Sequence, residues 1–223
     1  MRALDLFCGG GLASIGLQQA GFDYIVGVDV EDHPNYPYDF IKSDVRNMPV
    51  NVRDFDFIWA SPPCQKFSKS TTIANRESRE NLIPATRLIL EGHPYTAIEN
   101  VPQAPIRADV ILVGPSVGLP FLLRRRHFEL SYFMPYPPPA NGLDKQKWDM
   151  GLAFSVTTSM GMKDHFYPRK ALGLKGVPSL EESKFVMGVP NHFPLTYDEI
   201  GEGIPPAYAK FIAEGAIKLM RGE

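Results

Sequence analysis

An open α/β sheet is what the sequence predicts, and three stretches carry that expectation. Residues 3–7 read as a short buried strand that runs into Cys8-Gly9-Gly10-Gly11, followed by helical spacing from Leu12 to Ala20. Tyr24–Val28 reads as a second strand, ending in Asp29. Residues 56–60, Asp-Phe-Ile-Trp-Ala, read as a further strand, and Ser61-Pro62-Pro63-Cys64 follows directly. The Cys64 thiol therefore stands just past a strand's carboxyl end, the edge at which open α/β sheets bind ligands.

Strand, glycine turn and helix form the first unit of a nucleotide-binding sheet. Glycines let a ligand approach the backbone, and the helix start offers N–H groups. The same turn also serves as a plain tight connection. Gly21 suits the end of the first helix. An acid about 20 residues past such a turn is where a ribose hydroxyl is held; Asp29 is the choice, with Glu31 and Asp32 as neighbours. Phe40-Ile41 leads to Ser43-Asp44-Val45, a third strand end. Asp44 fits an exocyclic amine such as adenine N6, and equally fits a cap on the next turn. Together the two acids point to an adenosine-type cofactor.

Residues 65–81 hold Lys66, Lys69, Arg76 and Arg79 among Ser and Thr. They read as a basic loop suited to a phosphate backbone, or as an ordinary solvated loop. Leu82–Leu90 has helical spacing, and Tyr95–Ile98 is a strand ending at Glu99. Asp109–Val113 reads as a strand, as does 121–130 with Arg124 and Arg126 on one face. Glu181–Met187 reads as helix, residues 200–206 as a turn, and Ala207–Met220 as a closing amphipathic helix.

The totals set limits. At 223 residues, 44% hydrophobic and 22% charged, the chain suits one domain, or one domain plus a small insert. No apolar run reaches bilayer length and the start is unlike a signal peptide, so an intracellular protein is expected. The net charge of −2 announces no nucleic-acid partner. Residues 141–180, however, carry six Lys or Arg against three acids. Two cysteines make neither a disulfide framework nor a zinc site.

Phe7-Cys8-Gly9-Gly10-Gly11, Pro63-Cys64-Gln65, Glu99-Asn100-Val101, Arg124-Arg125-Arg126 and Gly201-Glu202-Gly203-Ile204-Pro205 occur in this order. In that order the chain resembles the DNA cytosine-5 methyltransferase family, and its compact form is similar to short versions encoded by bacteriophages. The resemblance implies a Rossmann-like, class I S-adenosylmethionine-dependent methyltransferase sheet with a small irregular recognition insert. Residues 1–133 and 181–223 would form the catalytic and cofactor-binding domain, and 134–180 a short target-recognition segment. It further implies double-stranded DNA as partner, a flipped base, no metal, a monomer, a place in restriction-modification, and the bacterial cytoplasm.

Cytosine C5 is a poor nucleophile, and a thiolate adding to C6 makes it enamine-like. Cys64 is the expected nucleophile. Glu99, on a neighbouring strand, would hold N3 and the N4 amine, and Arg124 and Arg126 would hold O2 and a phosphate. By resemblance the cofactor set is Phe7, Gly9, Gly11, Leu12, Asp29, Val30, Asp44, Val45, Pro63, Leu82 and Glu202. Gln65, Ser68, Lys69 and Arg79 would meet the nucleic acid. Two positions leave the family pattern: Leu122 replaces a glutamine, and Glu202 replaces an asparagine. RNA methylation, a lapsed DNA-binding protein and a mononucleotide-modifying enzyme are the alternatives.

Overall fold

The computed structural model describes residues 1–64, 66–67, 80–134 and 179–223. The expected nucleic-acid contacts Gln65, Ser68, Lys69 and Arg79, and all but the ends of segment 134–180, lie outside the described residues.

Seven strands form one sheet: β1 (Arg2–Leu6), β2 (Tyr24–Asp29), β3 (Asp39–Lys42), β4 (Phe57–Ala60), β5 (Thr96–Asn100), β6 (Val110–Leu112) and β7 (Arg126–Leu130). Their order is β3-β2-β1-β4-β5-β7-β6. All neighbours among β1–β5 pair in parallel, whereas β7 runs antiparallel to both β5 and β6. The chain steps outward from β1 to β3, then returns to the other side of β1 with β4. Strand order thus reverses at the β1–β4 pair, where Leu6 lies beside Ala60. A crevice for a ligand opens at such a point.

Period-two alternation sends the strand side chains to two cores. Ala3, Phe57, Trp59, Ala97, Phe128 and Leu130 pack against α1 (Leu12–Ala20) and α5 (Pro206–Arg221). Leu4, Leu6, Val26, Val28, Ile58 and Ile98 pack on the other face, where Leu90 of α2 (Ile83–Leu90) joins them. Both faces are covered, which is why these strands are near-continuous apolar runs. α5 buries Tyr208, Ala209, Ile212, Ala213, Ala216 and Ile217, an i, i+3, i+4 stripe. It packs against α1, so the two ends of the chain share one core.

Three local expectations change. Residues 200–206 are not simply a turn: α4 (Tyr197–Glu202) ends only at Gly203. Its start is a capping box, with Thr196 Oγ1 accepting from Glu199 N–H and Glu199 Oε2 accepting from Thr196 N–H at 2.6 Å. α3 (Leu180–Met187) starts the same way at Ser179 and Glu182. The strand expected over 121–130 is β7 alone, because the Tyr208 hydroxyl takes the Arg124 carbonyl at 2.5 Å and ties that segment to α5. Leu122 is fully buried with Leu12, Ile15, Met187 and Ile200. It is a core residue, remote in role from a base-framing glutamine.

Candidate active site

Two turns bound the crevice at the β1–β4 switch. The first follows β1. Phe7, Gly9 and Gly11 have φ of 59°, 49° and 84°, and the N–H groups of Phe7 and Cys8 both donate to Val28 O. A left-handed phenylalanine costs on the order of 1–2 kcal/mol, and such strain gathers at functional sites. Gly9 N–H donates to Asp29 Oδ2 at 3.0 Å. A Cβ on Gly9 would meet nothing within 4 Å, so this turn offers bare backbone to open space.

Asp29 also accepts from Glu31 N–H through Oδ1 at 3.0 Å. A carboxylate has about four lone-pair sites, so capacity for hydroxyl donors remains. Beside it Val30 is 65% exposed, an apolar side chain at the sheet edge. Asp44 realises its capping alternative: Oδ1 accepts from Arg46 N–H, and Arg46 Nη2 lies 2.6 Å from Oδ2. Hydrogen bonds from Arg46 hold its carboxyl down at about 2. The Val45 and Leu12 side chains are buried in the cores, Val45 in the cluster on which Phe7 packs. Leu82 caps α2 and accepts from Thr86 through its carbonyl.

The second turn follows β4. Ser61 N–H donates to Leu6 O at 3.1 Å, which sets the two turns side by side. Asn100, fully buried at the end of β5, donates from Nδ2 to Pro62 O at 2.9 Å. Pro63 is exposed. Cys64 is partly exposed and packs on the Ile83, Val101 and Ala104 cluster, its carbonyl accepting from Phe67 N–H at 2.9 Å. Ala60 pairs with Ile98 across β4 and β5, which places Glu99 next to the Cys64 turn as expected.

Burial pushes the Cys64 thiol up; the Arg126 and Arg124 charges pull it back, and Glu99 opposes them. Glu99 is 5% exposed. Arg126 Nε sits 2.8 Å from Glu99 Oε1, a close ion pair. Burial outweighs the Arg126 and Arg124 charges and holds this carboxyl above the ordinary range. Its protonated form, favoured in this way, is able to donate as well as accept. The two arginines differ. Arg126 faces Glu99, whereas buried Arg124 donates from Nη2 to Gly201 O at 2.8 Å and Gly203 O at 2.7 Å. Burial, then the Arg126 charge, lowers Arg124 to about 9.

The Glu202 carbonyl accepts from Arg124 Nη2 at 3.3 Å, so its backbone abuts the arginine wall. The raised pKa of the Glu202 carboxyl comes from burial, then from Asp198, Glu31 and Asp29, with His33 opposing. It belongs with the acids around Asp29. Sequence reasoning assigned no role to Asn100, to Ser61, or to Tyr208. Each acts through a contact more than 35 residues away in sequence or across two strands, and no local pattern signals it. Among the described residues no cluster of three His, Cys, Asp or Glu suits a metal, and no helix is long and apolar enough to cross a membrane.

Comparison with known proteins gives the same direction. The C-5 cytosine-specific DNA methylase family matches residues 1–105. The type II methyltransferase M.XorII of Xanthomonas oryzae pv. oryzae is 33% identical over 116 residues, 44% of this chain and 27% of that protein. M.HgiDI of Herpetosiphon aurantiacus is 26% identical over 162 residues, 59% of this chain and 52% of that one. The chain therefore spans between about a quarter and a half of the length of these two relatives. M.HgiGI, from the same organism, is 29% identical over 117 residues and is matched over 93% of its length. In fold, the chain is similar to a Spodoptera frugiperda DNMT2 mutant, with TM-score 0.66, 15% identity, and 97% and 99% of the two chains covered. It is likewise similar to the Entamoeba histolytica methyltransferase EhMeth, with TM-score 0.67, 11% identity, and 99% and 98% covered.

Proposed function

We propose that this chain, whose first 105 residues match the C-5 cytosine-specific DNA methylase family, methylates C5 of cytosine in double-stranded DNA. One observation carries the reading. Cys64 and Glu99 stand on adjacent strand ends, with Arg126 Nε 2.8 Å from Glu99, across a crevice from a bare glycine turn backed by Asp29.

The donor side fits S-adenosylmethionine. Gly9 leaves open space, Asp29 has spare acceptor capacity for ribose hydroxyls, and exposed Val30 offers an apolar surface to a purine. Phe7, Gly11, the backbones at Leu12 and Val45, Asp44, Pro63, Leu82 and Glu202 complete this proposed set. When bound, the donor supplies an electrophilic methyl group carried on a sulfonium.

The protein's residues do the rest. The Cys64 thiolate adds to C6, so the S–C6 bond forms and the C5=C6 electron pair becomes available at C5. Glu99, in the protonated form that burial favours, donates to N3 as negative charge develops there and accepts from the N4 amine. Arg126 orients Glu99 and would meet O2 of the base. Arg124 ties the end of α4 to this wall. After transfer a base removes the C5 proton, and the S–C6 bond breaks to release Cys64. None of this is reachable in a stacked duplex, so the cytosine is flipped out. Residues 65–81, with Gln65, Ser68, Lys69 and Arg79, are the basic stretch next to the thiol. Segment 134–180, between β7 and α3 and basic in balance, is the target-recognition part of this reading, beside a catalytic part of 1–133 and 181–223.

Bisulfite sequencing of plasmid DNA from cells expressing the protein tests the reading. The expected result is methylated cytosine in one short sequence context, absent with Cys64→Ala. Unmodified cytosines throughout, or a labelled methyl group entering tRNA and not duplex DNA, would overturn it.

A further inference from the structure

Behind the glycine turn runs a buried polar line that no step above uses. Asp5 of β1 and Ser14 of α1 are fully buried, and Tyr36, in the loop after β2, is 9% exposed. Ser14 Oγ hydrogen-bonds Asp5 Oδ2 at 2.5 Å. The Tyr36 hydroxyl meets the same Ser14 Oγ at 2.6 Å, and the direction of that bond follows whether Asp5 Oδ2 accepts or, as the neutral acid, donates. One line of hydroxyls thus joins a strand, a helix and a loop on three sides of the turn.

The Tyr36 ring is wedged against that turn. A Cβ on Gly11 would lie 2.9 Å from the ring's Cε2, and a Cβ on Gly27 would lie 2.4 Å from the hydroxyl oxygen. Cys8 Sγ lies 2.8 Å from the same point on Gly27, so Cys8 closes the wall. Phe40 and Tyr38 pack on the ring at centroid distances of 5.6 and 5.9 Å. Only glycines let the ring sit so deep, and the hydroxyl line sets how deep. Gly11 is the N-cap of α1, and Gly9 two residues before it donates to Asp29.

We propose that Tyr36, held through Ser14 by Asp5, is a positioning residue for the donor pocket: it sets the height of the glycine turn against Asp29. It rests on the donor reading above and deepens it. Tyr36 touches no reacting atom; it acts through Gly11 and Gly27. Burial first, with Asp29 adding and the Ser14 hydrogen bond opposing, raises Asp5 to about 7. Asp5 Oδ1 has no hydrogen-bond partner, so the neutral acid is the form that fits. The groups facing Asp5 are Ser14, Tyr36, Cys8, Tyr38 and Asp29.

The test measures binding of S-adenosylmethionine by calorimetry, and methyl transfer at saturating donor, at pH 6. Tyr36→Phe and Ser14→Ala are each expected to weaken donor binding about tenfold, while kcat stays within about twofold. The double variant should be no weaker than either single one, because the line acts as a unit. Asp5→Asn, the isostere of the neutral acid, should bind as the wild type does. Thermal melts show that each variant folds. Unchanged donor affinity in folded Tyr36→Phe, or an equal loss in kcat, would overturn the positioning role while leaving the donor reading intact. A wild-type protein that binds no S-adenosylmethionine would overturn both.

Discussion

Asn100 Nδ2 donates to the Pro62 carbonyl across 2.9 Å, so the strand that carries Glu99 also holds the turn that carries Cys64. The Asn100 side chain folds back as well, its Oδ1 accepting from Val101 N–H at 2.9 Å. Both ends of a fully buried amide are satisfied. Acid and thiol are therefore fixed to one another through a single side chain.

Asn100→Ala strands the Pro62 carbonyl and frees the Cys64 turn. An unsatisfied buried group costs about 1–3 kcal/mol, and a displacement near 1 Å costs about 100-fold in rate. Methyl transfer should fall by that order while donor affinity stays within about twofold. Steady-state kinetics with calorimetry separate the two, and equal losses in both would count against the Pro62 anchor.

Removing Arg126 should unfold the protein more readily, because it takes the nearest positive charge from buried Glu99. Breaking a buried ion pair in this way costs about 3–5 kcal/mol, and the two side chains are only 15% and 6% exposed. Arg126→Met in a urea titration should show that loss. Adding Glu99→Gln to it should recover part of the stability. Two independent, additive losses would argue against the pair.

Cys64 alkylation should rise with pH past the usual thiol range, because burial raises the thiol against the pull of Arg126 and Arg124. Arg126→Gln should move the inflection further up, and Glu99→Gln should move it down. Iodoacetamide rates across pH measure both. An inflection that ignores both substitutions would place the thiol away from this charge cluster.

Asp5 and Glu129 should act in opposite directions on stability. Asp5 keeps its proton to about 7, against 3.8 in the unfolded chain. Its contribution is full below the unfolded value and is lost as pH rises to about 7, after which it is flat. Glu129 is lowered: burial alone would raise it, but the bidentate Arg87 hydrogen bonds at 2.9 and 2.7 Å win. Its contribution is present above the ordinary carboxylate range and is lost as pH falls through the lowered value. Asp5→Asn should remove the decline toward neutrality, and Arg87→Met should remove part of the acid loss. Denaturant midpoints from pH 3 to 8 would reveal either curve unchanged.

Much of the site could be read before folding. Glycines after a strand, an acid ending the next strand and a thiol past an apolar run are local patterns, and each has a local physical cause. α1, α2 and α5 fall within one or two residues of their expected spans, because their apolar spacing is set by the backbone period. α4 was also legible through Thr196 and Glu199, but the glycines at 201 and 203 suggest a turn. Leu122 misleads for another reason. The position that the resemblance leads one to expect polar is here absorbed into the core with Leu12 and Met187.

The sequence by itself determined most of the element types and the strand ends that carry the candidate residues, since these follow from short-range periodicity and from residue chemistry. Only the tertiary structure decided the partners. Parallel pairing of β4 with β1 and β5 sets Cys64 between the glycine turn and Glu99. Burial raises the carboxyls of Glu99 and Asp5 above the ordinary range. It also divides two arginines of one motif, Arg126 toward Glu99 and Arg124 toward the end of α4. Desolvation and charge pairing depend on what lies within a few ångströms, and residues as far apart as Arg124 and Gly201, 77 positions, become neighbours only when the chain folds.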